Sequence, residues 1–142
     1  MLDDCTMLSN ICQNTEMGRT GIAHVMDLTR DTDLRQALEA QLSEYHQIYD
    51  AADAMLQEKS EGPEHISPMA KVMSYLSANF KTMQDPSSSK IAEMMIQGST
   101  MGITKMTKWL HDYDGGDNRI TRLAQKLVKT EQANIEEMKH FL

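Results

Sequence analysis

Two polar pairs near the C-terminus have the spacing of metal-ligand chemistry. In KTEQANIEEMKHFL (Lys129–Leu142), Glu131 and Asn134 lie one helical turn apart, and Glu137 and His140 repeat the interval. A carboxylate and an imidazole three residues apart on one helix face grip an ion from one side, and a second such helix completes the cage. Iron and manganese need several anionic oxygen donors to offset their charge, so a single acid among amides does not hold two ions. Other acids, among them Glu16 and Glu44, lie elsewhere along the chain. Glu93 is a further acid ahead of the last loop. Whether these groups meet depends on the elements that carry them.

Those elements read as helices. Apolar residues recur at helical spacing, alternating strand patterns are nearly absent, and the three prolines fall between the periodic segments. The spacing predicts five helices, over about 4–29, 32–59, 67–84, 87–113 and 118–141, within a single domain spanning 1–142. Met7, Leu8, Ile11, Ile22, Val25 and Met26 form the stripe of the first; Leu34, Leu38, Tyr45, Ile48, Tyr49, Ala52 and Leu56 that of the second. SEGPEHISP makes a loop, after which Ser67 can cap a shorter third helix with Pro68 in its first turn. The fourth runs through Ile91, Met95, Met106 and Trp109, and DYDGGDN ends it with glycines free to turn left-handed. The fifth uses Ile120, Leu123, Ala124, Leu127, Ile135, Met138 and Leu142. Four helices of about 24–28 residues would each be about 36–42 Å long. This is the length of a four-helix bundle made of two antiparallel hairpins.

The stripes then sort the polar residues. Glu131 and Asn134 fall inside the stripe of the last helix, as do Tyr45 and neighbouring Gln41 on the second and Thr15 on the first. Glu44 sits about 100° from the centre of its stripe, and Glu16 lies one step beyond the edge of its own. The expectation is a buried polar layer of Thr15, Gln41, Tyr45, Glu131 and Asn134, in which a threonine can also satisfy itself on its own helix carbonyls. His24, His46, His111 and His140 project from polar faces or their flanks.

Composition narrows the function classes. The chain has 142 residues, 40% apolar and 25% charged, with 14 Lys and Arg scattered among 21 acids for a net charge of −7. Nucleic acid is not expected as a partner of such a surface. No run approaches the roughly 18–20 apolar residues that span a bilayer, and MLDDCTML carries acids where a secretory signal is basic. A cytoplasmic location is expected. Cys5 and Cys12 are two helical turns apart, about 10 Å along one helix, too far for a disulfide. No nucleophile–base pair, phosphate-binding glycine loop or zinc-ligand spacing is present. Thirteen methionines read as filler for irregular helical cores.

Two further patterns stand out. Met17-Gly18 recurs as Met101-Gly102, 84 residues on, and Leu34, Leu38, Leu42, Ala52 and Leu56 recur 86 residues on as Ile120, Ala124, Val128, Met138 and Leu142. The two extra residues fit the Asp-Gly-Gly loop. Separately, Ile96, Ile103 and Leu110 form a second apolar stripe on the fourth helix, to be covered by the third helix or by the partner in a homodimer.

SEYHQIYDAADAML late in the second helix and KTEQANIEEMKHFL late in the last, on two hairpins joined by a crossover containing a shorter helix, resemble the ferritin-like superfamily over nearly the whole chain. The resemblance implies an all-α, ferritin-like four-helix bundle. It also implies a di-iron or di-manganese centre built from inward carboxylates and two Glu-x-x-His pairs. The family's pattern maps Glu16 to the first-helix acid, Glu44 with Gln47 to one pair, and Glu131 with Asn134 to the other, so both histidines are replaced by amides. The expectation is therefore a non-enzymatic bundle with a structural or interaction-mediating role and no cofactor. The alternatives are an iron- or manganese-binding protein using Glu16, Glu44 and Glu131, and a module that binds a small ligand between its helices.

Overall fold

The computed structural model describes residues 1–59 and 86–142. The predicted third helix, its Ser67–Pro68 cap and His65 lie outside the described residues. Within them the chain forms four helices: α1 (Asp4–Met26), α2 (Thr32–Lys59), α3 (Ser88–Asp112) and α4 (Asn118–Met138). A 3-10 turn, Lys139–Phe141, follows α4. No strand occurs among the described residues; the one β-type pairing is an isolated bridge between Leu2 and Tyr113.

Short polar side chains begin each helix by accepting from amides that have no partner inside the helix. Asp3 accepts from the Thr6 amide at 2.7 Å, Ser87 from Lys90 at 3.2 Å and Asp117 from Arg119 at 3.0 Å. Asp31 does the same for α2, with Asp33 and Leu34 at 3.0 and 3.1 Å. The first helix stops at Met26, short of the expected Thr29, because the Leu28 and Thr29 amides both fold back onto the Val25 carbonyl.

The end of α3 corrects an expectation. No described glycine has a positive φ, so the Asp-Gly-Gly loop does not turn through a left-handed residue. Tyr113 leaves the helix extended (φ −73°, ψ 124°), and Leu2 pins that conformation by donating to the Asp112 carbonyl and accepting from the Asp114 amide.

Interactions at the two ends fix the helix directions. At one end Lys59 lies 3.1 Å from Asp4 and 3.0 Å from Asp117, and the Tyr113 hydroxyl donates to Asp4 at 2.6 Å. The start of α1, the end of α2, the end of α3 and the start of α4 therefore meet there. At the other end Ser88 donates to Asp31 at 2.7 Å, joining the start of α3 to the start of α2. Burial follows the stripes: Met7, Leu8, Ile11, Ile22, Leu34, Leu38, Ile91, Met106, Ile120 and Leu127 are enclosed in one core. Ile96, Ile103 and Leu110 are each half-buried on α3. No helix among the described residues is long and apolar enough to cross a membrane.

Candidate functional site

Midway along the bundle the apolar core is interrupted. Thr15, Gln41, Tyr45, Glu131 and Asn134 are all buried, with Glu131 only 2% exposed. Asn14 on α1 and Ser99 on α3 are buried at the same level. These last two were not singled out from sequence, although each had a signal. Asn14 precedes Thr15 inside the stripe of α1, and Ser99 lies 84 residues after Thr15 in the internal repeat.

The centre of the layer is a contact between α2 and α4. The Tyr45 hydroxyl donates to Glu131 Oε2 at 3.3 Å. Each partner fills the space left by a glycine on the helix beside it. A Cβ at Gly18 would stand 2.6–2.9 Å from the Tyr45 ring. A Cβ at Gly102 would stand 2.9 Å from Glu131 Cδ and press on both carboxyl oxygens. Asn14 closes the site by donating to the Gly102 carbonyl at 3.1 Å. Glu131 Oε1 and Asn134 Nδ2 are enclosed without a hydrogen-bond partner among the described residues.

This enclosure sets the protonation state. Burial pushes the Glu131 carboxyl up to about 8, although hydrogen bonding from Tyr45 and Asn14 pulls the other way by favouring the carboxylate. Burial, together with the Glu131 charge, raises Tyr45 far above the ordinary tyrosine range. Hydroxyl bonds to a carboxylate are about 2.5–2.7 Å long, so the 3.3 Å contact fits a neutral acid better than an anion.

The other members of the predicted layer are spent locally. Thr15 donates to its own helix carbonyls, Ile11 at 3.0 Å and Cys12 at 2.9 Å. Gln41 reaches Glu137 at 3.1 Å instead of the centre. That bond lies in a groove of about 680 Å³ between α2 and α4, whose charged lining mixes Arg122, Lys126 and Lys129 with Glu44 and Glu137.

The trio Glu16, Glu44 and Glu131 is not brought together. Glu16 is ion-paired with Arg19 on the outer side of α1. Arg19 also lies 3.0 Å from His46 and stacks 4.2 Å from the Tyr49 ring. Glu44 is exposed. The physical reason is the 100° step of the helix, which turns residues 16 and 44 away when 15 and 45 face inward. Among the described residues, no three His, Cys, Asp or Glu side chains come close enough to hold a metal ion. The donor set at the centre is one carboxyl with a phenol, a hydroxyl and two amides, which does not fit a pair of iron or manganese ions. No family model matches this chain, and no curated protein and no solved structure matches it either.

Proposed function

We propose that the chain is a ferritin-like bundle whose role is structural or interaction-mediating, and that its buried polar layer fixes how the two hairpins meet instead of holding a di-metal centre. The crossover of that fold is supported by the ends of the described helices: α2 finishes at the Lys59 end of the bundle and α3 begins at the Asp31 end. A connection between opposite ends of the bundle joins two parallel helices, giving the order up, down, down, up.

The observation that carries the functional reading is the Tyr45–Glu131 contact. A phenol and not a second carboxylate faces Glu131, whose side chain is seated on Gly102 and whose carboxyl is pushed up to about 8 by burial. Buried polar pairs of this kind can set register and partner choice at some cost in stability. Pairing of two copies through Ile96, Ile103 and Leu110 is compatible with this reading and is decided by the mass of the protein in solution.

The test is elemental analysis of untagged protein purified from cells supplemented with iron, manganese and zinc. The expected result is no stoichiometric metal in the wild type or in Glu131→Gln. One or two equivalents in the wild type that vanish in Glu131→Gln would overturn the proposal in favour of a metal-binding bundle.

A further inference from the structure

The two helix hairpins share more than a repeating apolar pattern. Every buried residue of α2 (Leu34, Leu38, Gln41, Tyr45, Ile48 and Ala52) has a buried residue of α4 86 positions later. Every buried residue of α3 (Ile91, Ala92, Met95, Ser99 and Met106) has a buried residue of α1 84 positions earlier. Two amphipathic helices set in arbitrary register match at some of these places but not at all of them, because the 3.6-residue period does not coincide with whole turns. The reverse match is partial, since Cys12, Asn14, Gly21 and Val25 of α1 fall on residues of α3 that are not fully buried, but two irregular features recur. Thr15 and Ser99 are the buried hydroxyls of α1 and α3, and Gly18 and Gly102 seat the side chains of Tyr45 and Glu131, which are themselves 86 residues apart.

Tyr45 and Glu131 also touch each other, at 3.3 Å. A residue that contacts its own counterpart in a repeat must lie on the axis relating the two copies. We infer that the bundle is one helix hairpin used twice about a pseudo-two-fold axis through Tyr45 and Glu131, and that this unlike pair directs each hairpin to the other kind instead of to its own kind in a second copy of the chain. This inference rests on the structural reading of the layer given above.

The chemistry of the alternatives explains the choice. An interface between like hairpins would set two glutamates face to face, and two buried carboxyls at that distance stay together only while at least one keeps its proton. It would also set two phenols against each other in space that one ring and one carboxyl now fill. The unlike pairing joins a phenol donor to a carboxyl acceptor with one acid in the core. The like pairings put two acids at one centre and two rings at the other, so discrimination comes from the cost of the wrong pairing as much as from the gain of the right one.

The full chain tests this by exchange. Tyr45→Glu and Glu131→Tyr are made singly and together, and urea midpoints and solution mass are measured at pH 6. Each single change is expected to lower the midpoint and to populate heavier species as concentration rises. The exchanged chain is expected to recover more than half of the summed loss and to have the mass of the wild type. An exchanged chain that loses as much as the two single changes combined overturns the inference. If the exchanged chain does not fold, Gly18→Ala and Gly102→Ala decide. Equivalent seats require both to lower the midpoint while Gly98→Ala, whose new Cβ meets nothing within 4 Å, does not; a rise at either seat overturns the equivalence. A costly Glu131→Gln with a failed exchange sinks the duplication alone. A Glu131→Gln chain indistinguishable from the wild type at every pH sinks the structural reading itself.

Discussion

Replacing Glu131 by Gln removes a proton-binding group from the core while leaving its size almost unchanged. The carboxyl is 2% exposed and is shifted from 4.5 in the unfolded chain to about 8 in the fold. Between those values the folded state keeps a proton that the unfolded state has released, so stability falls as pH rises through this window. The slope for one such group is about 1.4 kcal/mol per pH unit. The contribution is fully present below pH 4.5 and is lost by the time the pH passes about 8, a total on the order of 5 kcal/mol. Every other ionisable group is common to both proteins and cancels in the difference. Urea unfolding followed by circular dichroism at half-unit steps from pH 4.5 to 9 gives that difference directly. The wild type is expected to lose ground steadily to Glu131→Gln up to about pH 8, after which the gap becomes constant. A difference that does not change with pH would mean that Glu131 is ionised in the fold, and the argument from its enclosure would be wrong.

Two further outcomes follow from the same region. Tyr45→Phe removes the donor to Glu131 Oε2 and is expected to cost about 1–3 kcal/mol; it also shifts the pH-dependent loss of stability upward, since that hydrogen bond favours the carboxylate. Unchanged stability and an unchanged pH profile would show the contact to be incidental. Burial pushes the Cys12 thiol up to about 12, whereas Cys5 is only half-buried. A thiol reagent at pH 8 is therefore expected to titrate one cysteine rapidly and the second only after denaturation, and equal rates for both would contradict the packing of α1.

Much of the described fold was legible because helical periodicity is a property of side-chain type alone. The stripes of the helices could be read from residues such as Leu34, Leu38, Tyr45 and Ile48 on α2. The way α3 ends was not legible. Gly115 and Gly116 advertise a left-handed turn, but the extended path at Tyr113 is held by Leu2, more than a hundred residues away, and local sequence contains no trace of such a contact. The same division applies to the layer. That Glu131 and Tyr45 face inward follows from spacing, but that they meet depends on two glycines on other helices. Gln41 lies on the same buried stripe as Tyr45, yet only the structure shows it engaged by Glu137 instead of by the centre.

The raised pKa of Glu131 does not by itself argue against an ion. A cation placed beside a carboxyl reverses the local balance and drives off the proton, so a neutral acid in the empty fold is compatible with a carboxylate in a loaded one. Donor number and geometry are what decide. For an ion of charge two at this level, Glu131 supplies at most one negative charge, and the nearest side chains, Tyr45, Asn14, Ser99 and Asn134, supply none at neutral pH. Tyr45 would have to ionise to add a second, and burial opposes this strongly. The acids that could help, Glu16 and Glu44, are on the far side of a 100° turn of their helices, and Glu16 is already neutralised by Arg19. Turning either inward would rotate a whole helix and expose Leu38 or Ile11, both fully enclosed. Exposing one such side chain costs about 1.5–3 kcal/mol, and every other residue on the stripe would add to it. A ligand shell made that way would have to outbid the core of the bundle, whereas a protonated glutamate bonded to a phenol requires no rearrangement at all.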